Sequence, residues 1–163
     1  MKVEFKITGI DGVLSTLQSL PAEVVSKRGG PVKASLAKGA RALRDRAKEN
    51  FRRSVAANGA ASTDTTVNHI ISSRGKAPTG TNGERYLVRV KRKAFINARG
   101  TATSTRKAAQ LMEYGSSTQP AYPWLRPAVT RYGTQIIDIV TEDLLKRLDQ
   151  LTKRLGAQNR GKG

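Results

Sequence analysis

Apolar residues at Val32, Leu36, Ala40, Leu43, Ala47 and Phe51 recur at steps of three and four, which puts them on one stripe of a helix. No strand can use that spacing. The run begins at Pro31, a residue suited to the first helical position, and is predicted to continue to about Arg53. Its other faces carry Lys33, Lys38, Arg41, Arg44, Arg46, Lys48, Arg52 and Arg53 against only Asp45 and Glu49. A second run, Val129, Ile136, Ile137, Val140, Leu144, Leu148, Leu151 and Leu155, predicts another long helix from Pro127 to about Leu155. Two such helices must bury their stripes against each other or against a sheet.

Between and before them the period changes. Val3, Phe5 and Ile7 alternate with polar neighbours, the pattern of a half-buried strand. Asp11 is placed to cap a short helix ending at Pro21. Val67–Ser73 and Arg85–Phe95 read as further strands, and Lys107–Tyr114 as a short helix or strand. Ala56–Thr66 and Asn97–Thr105 read as polar loops. Gly80-Thr81-Asn82-Gly83 matches the GXXG loop of KH nucleic-acid modules, but it lies between strand-like segments and reads as a hairpin turn. Strands without helical crossovers pair as hairpins. The expected fold is therefore α+β: a small antiparallel sheet of three to four strands packed with two long helices and one short helix. Residues 1–155 form one domain and 156–163 a flexible basic tail.

Composition narrows the chemistry. Thirty Lys and Arg face twelve Asp and Glu, for a net charge of +18, a field that implies an anionic partner. From Arg85 through Lys107 there are eight basic residues and no acidic one. Cys is absent, which removes disulfides, thiolate ligands and a Cys nucleophile. Neither a signal peptide nor a membrane span is expected, since no apolar run approaches about 18 residues. The single His69 sits in a strand-like run, and Asp138, Glu142 and Asp143 precede Lys146 and Arg147 in the pattern of intrahelical ion pairs. No catalytic, metal or cofactor site is expected.

The stretch Leu111–Val129, LMEYGSSTQPAYPWLRPAV, stands apart. It holds the only Trp, two of four Tyr and three of six Pro. Gly115 permits a sharp turn after Glu113-Tyr114. Pro123 and Pro127 bracket Trp124-Leu125-Arg126, stiffening the approach to the last helix. Tyr122, Trp124 and Leu125 are then fixed either as core anchors or as a subunit contact, since aromatics and Arg dominate interface hot spots.

These residues carry a resemblance. Gly9-Ile10-Asp11-Gly12 before a short leucine-bearing helix, Gly39-Ala40-Arg41-Ala42-Leu43 followed by Ala47-Lys48, Glu113-Tyr114-Gly115-Ser116, and Pro123–Ala128 before a terminal helix together resemble the tail-completion or head–tail joining proteins of long-tailed phages. That group includes lambda-type minor tail protein Z. The resemblance spans nearly the whole chain, although Ala57–Thr66 replaces the Thr-Gly-X-Leu segment frequent in relatives. It implies a non-catalytic virion protein that forms a ring at the neck, in six-fold register with the tail, beside other neck and tail-terminator or tail-tube proteins. It would act in the virion and, during assembly, in the host cytoplasm. Candidate interface or anchor residues are Glu113, Tyr114, Gly115, Tyr122, Pro123, Trp124, Leu125, Arg126 and Pro127. Candidate contacts to an anionic partner, an acidic ring protein or phage DNA, are Arg41, Arg44, Lys48, Arg52, Arg89, Lys91, Arg92 and Lys93. The alternative is a basic nucleic-acid-binding module without catalysis.

Overall fold

The computed structural model describes residues 30–59, 64–76, 79, 83–97 and 99–160, with side chains of the last helix through Arg154. The strand expected over 2–8 and the helix over 11–20 lie outside these residues, as does most of the Gly80–Gly83 turn. In chain order the elements are α1 (Pro31–Ala57), α2 (Thr65–Asn68), β1 (Ile70–Arg74), β2 (Tyr86–Val90), β3 (Ala94–Ile96), β4 (Ala102–Ser104), α3 (Thr105–Tyr114) and α4 (Leu125–Arg160). The fold is α+β, with two long helices as the periodicity predicts.

α1 opens with Pro31 at its first position, and Gly30 offers no side-chain cap. It runs four residues beyond Arg53 and stops where Gly59 takes φ +67°. The amides of Asn58 and Gly59 close its last turn on the Ser54 and Ala56 carbonyls. α4 lies antiparallel to it. Asn50 near the C-terminal end of α1 donates to the Trp124 carbonyl (3.2 Å), while Ser35 and Lys38 near its start donate to Asp143 (2.9 and 2.8 Å). Gly39 marks the closest approach, since a Cβ there would collide with Val140 and touch Ile136. Buried residues of α1 are Ser35, Gly39, Ala47, Asn50, Phe51 and Val55. The predicted stripe is therefore buried only in its second half. In the first half the helix turns its small face to α4, and Val32, Leu36, Ala40 and Leu43 line an apolar groove with Val88, Ile136 and Val140.

α4 continues to Arg160, five residues past the end expected from the leucine pattern, so the segment assigned to a flexible tail is helical through that residue. At 1.5 Å per residue α4 is about 54 Å long against about 40 Å for α1.

The strands depart from expectation in their pairing. β1 pairs antiparallel with β2, from Ile70↔Val90 to Arg74↔Tyr86, and β3 with β4, from Ala94↔Ser104 to Ile96↔Ala102. Among the described residues the result is two ribbons of two strands rather than one sheet of three to four. The predicted strand Arg85–Phe95 breaks at Lys91–Lys93, and the cause is Thr105. Its fully buried hydroxyl donates to the Lys91 carbonyl (2.6 Å) and accepts from the Lys93 amide (3.0 Å). One side chain thereby takes the backbone groups that would otherwise continue the ladder. Part of the predicted loop 97–105 is strand, because Asn97 Oδ1 accepts from the amides of Arg99 and Thr101 and folds the chain back at Gly100 (φ +75°). Val67 belongs to the single turn α2, and its strand starts at Ile70. Lys107–Tyr114, left open between helix and strand, lies in helix α3, with Ser104 as its N-cap.

The core is formed by Ala47, Phe51 and Val55 of α1, Val67 and Ile70, Ala109 and Met112 of α3, then Trp124 and Ala128. The motif-bearing segment thus enters the centre of the domain.

Candidate functional site

Glu113 lies in the last turn of α3 and is only 4 % exposed. A carboxylate that deep needs partners, and it finds them at the start of the other long helix. Oε2 accepts from the amides of Trp124 and Leu125 (both 2.8 Å), and Oε1 from the Arg126 amide (3.1 Å) and Arg126 Nε (2.9 Å). The Arg126 guanidinium also donates to the Glu113 carbonyl (3.0 Å). A helix leaves its first four N–H groups without intrahelical partners. In α4 those belong to Trp124, Leu125, Arg126 and residue 127. Three are taken by Glu113, and the fourth is a proline with no N–H to satisfy. Glu113 thus caps a helix that begins eleven or twelve residues further along the chain, and its negative charge sits at the positive end of the helix dipole.

The intervening loop is shaped to deliver this contact. Gly115 has φ +74°, and a Cβ there would lie 2.8 Å from both the Ala121 amide nitrogen and the Gln119 carbonyl oxygen. Both the backbone conformation and the space demand glycine. Ser116 and Gln119 form an isolated antiparallel bridge, and the Tyr122 amide returns to the Met112 carbonyl (2.8 Å). Ser54 donates to the Pro123 carbonyl (3.2 Å), tying the connector to α1.

Trp124 is 3 % exposed. Its ring meets Phe51 edge to face, with centroids 5.2 Å apart at 81°, the arrangement aromatic quadrupoles favour. Its indole Nε1 donates to the Ala109 carbonyl (3.0 Å), so both its apolar area and its polar atom are satisfied within the chain. Tyr122 and Leu125 are half-buried against the same cluster. Tyr114 is the aromatic of the segment that faces outward, 54 % exposed, with the Arg126 guanidinium 5.3 Å from its ring centroid. The nine motif residues are therefore brought together, but they divide into a buried or half-buried clasp, an exposed Tyr114–Arg126 pair and an exposed Pro123.

No family model, curated protein or solved structure matches this chain.

The eight candidate basic residues separate in a different way. On α1, Arg44 pairs with Asp45 and Arg52 lies 3.8 Å from Asp64, whereas Arg41 and Lys48 form no ion pair among the described residues. Arg89, Lys91, Arg92 and Lys93 are all exposed and form none either. The helices hold most of the internal pairs, including Lys38 and Arg147 with Asp143, Arg53 with Glu49 and Lys153 with Asp149. Asp143, shielded between α1 and α4, is held well below the usual carboxylate range, chiefly by the hydrogen bond from Arg147 and then by that from Lys38.

Among the described residues no three His, Asp or Glu side chains gather as metal ligands would, and no helix is long and apolar enough to cross a membrane. His69 Nδ1 donates to the Thr65 carbonyl (2.7 Å), closing the turn of α2. The apolar groove beside α1 has a volume of about 380 Å³ and presents no titratable carboxylate, His or Lys.

Sequence reasoning missed three contributors. Asn50 and Ser35, buried polar residues on the apolar side of α1, bind the start and the middle of α4. Thr105 holds the chain break at Lys91–Lys93. A polar residue interrupting an otherwise apolar helix face was the available signal for the first two; nothing local distinguishes Thr105.

Proposed function

We propose that the chain is a structural protein of a long-tailed phage particle, forming a ring at the neck that completes the tail and joins it to the DNA-filled head. The observation that carries this reading is the Glu113–Ala128 segment, the part of the chain that most resembles tail-completion proteins. Every distinctive residue in it has a mechanical use: Glu113 caps α4, Gly115 makes the turn, Trp124 fills the core and Pro127 removes a donor. The segment is a device for fixing one long helix against another. That suits a rigid protomer in a ring better than it suits turnover of a substrate.

A closed ring needs a heterologous interface, one patch of each subunit meeting a different patch of the next. Arg126, exposed but held by a buried carboxylate, and Tyr114, whose ring its guanidinium overlies, are the pre-organised candidates in the motif, and neighbouring neck or tail-tube proteins are the further partners. A host infected with phage lacking the gene should accumulate filled heads and complete tail tubes that do not join. Normal virions from that infection would overturn the proposal. In complementation, Tyr114→Ala should fold normally yet reduce joining; a fully active Tyr114→Ala would remove this residue from the interface.

A further inference from the structure

Six of the eight exposed basic residues between Arg85 and Lys107 gather on one structural feature. The corner Lys91-Arg92-Lys93 is locked through its backbone: the Lys91 amide donates to the His69 carbonyl (2.8 Å) and the Thr105 amide to the Lys93 carbonyl (2.9 Å), in addition to the two bonds of the Thr105 hydroxyl. Arg106 Nε, donating to the Val90 carbonyl (3.3 Å), brings the start of α3 against the same corner, and Lys107 follows it. From this base the β3–β4 ribbon extends to a tip that carries Arg99. Three basic side chains at the corner, two on the adjoining helix and one at the tip are all exposed, and none forms an ion pair with a side chain among the described residues.

We propose that this corner and ribbon form a binding surface for duplex DNA, contacting its phosphates without regard to sequence. Fixed backbone geometry presents the charges with little ordering cost. A two-stranded antiparallel ribbon has a width that the major groove, about 12 Å across, admits. The ribbon's exposed residues Ala94, Thr101 and Ala102 are small, which permits close approach, and Thr101 adds a hydroxyl that can bond phosphate oxygens. Single strands are a poorer fit, because stacking surfaces need free aromatics and Tyr86 and Phe95 are both half-buried. An acidic protein is also a poorer fit: protein interfaces centre on apolar anchors, and Ile96 is the sole large apolar residue exposed on the ribbon. The inference stands apart from the neck assignment, since it concerns what the surface binds and not where the protein assembles.

The test is equilibrium binding of the full chain to a labelled duplex of mixed sequence over a range of salt concentrations. The variant K91A/R92A/K93A is compared with R131A/K146A/R154A, which removes the same charge from exposed, unpaired positions on α4. Both sets are surface substitutions, and Lys91 and Lys93 enter the bonds that lock the corner through their backbone atoms alone. Each lost phosphate contact lowers the slope of log affinity against log salt by about 0.9, so the corner variant should lose about 2.7 in slope. The α4 variant should lose little, and Arg92→Glu alone should weaken binding at every salt concentration. Equal losses in the two triple variants would mean that net charge and not this surface binds DNA, and would overturn the proposal. So would polyglutamate displacing the duplex through the same corner residues at equal charge concentration, which would make the surface a dock for acidic protein.

Discussion

Replacing Glu113 by alanine should be among the most damaging single changes in this protein, and far worse than removing its ion-pair partner. The carboxylate accepts four hydrogen bonds, three from backbone amides at the start of α4. Losing a helix cap costs about 0.5–2 kcal/mol, and leaving a buried donor such as the Trp124 amide unsatisfied adds about 1–3 kcal/mol. With the Leu125 and Arg126 amides rescued by water, the sum is about 1.5–5 kcal/mol. Arg126→Ala is a different perturbation. Its side chain is 47 % exposed, so the lost pair should cost only about 0.5–1 kcal/mol, and the carboxylate keeps its three amide donors. For a chain of this size each kcal/mol moves the melting midpoint by about 2–4 °C. Glu113→Ala should therefore fall by about 3–20 °C and Arg126→Ala by no more than about 4 °C. Urea titration followed by circular dichroism would give both free energies directly. Equal costs for the two variants would refute the reasoning, because the pair and not the cap would then be the source of stability.

Three further changes test other joints. Gly115→Ala should destabilise by more than about 2 kcal/mol, since left-handed backbone strain adds to the collision with Ala121 and Gln119; a thermal midpoint within a degree of wild type would contradict this. Gly39→Val should force α1 and α4 apart at Val140 and Ile136, costing about 1–3 kcal/mol or more, read by the same melts. Asp143 supplies a pH dependence. Its carboxyl is depressed in the folded state, so the unfolded chain takes up the proton first as pH falls. The stability from its bonds to Arg147, Lys38 and Ser35 is complete at neutral pH and is lost progressively below about pH 4. Asp143→Asn should flatten that acid limb of the stability curve while lowering stability at pH 7.

What the sequence made legible follows from how local each determinant is. The two long helices rest on apolar spacing within a single segment, and both form close to their expected limits. The splitting of Arg85–Phe95 depends on Thr105, which lies outside that segment and acts through a hydroxyl; β-propensity along the strand carries no trace of it. The first half of α1 shows the same limit. Leu36 and Ala40 mark the apolar face correctly, yet the close contact with α4 selects Ser35 and Gly39, because a narrow helix–helix approach depends on side-chain size more than on hydrophobicity. In the motif, glycine and the prolines announced a turn before a helix. That Glu113 would reach across the turn and cap that helix is a relation between two segments, and only the fold displays it.

The cap also decides where this strongly basic molecule is receptive. A helix start with free amides is a ready seat for phosphate or another anion, and the start of α4 would be one. Here the chain fills it with its own carboxylate, and proline removes the last donor. Arg126 is drawn back over the same spot. The most obvious anion trap in the protein is therefore closed from within, and the charges left open to the outside lie elsewhere, among them those of the strand corner.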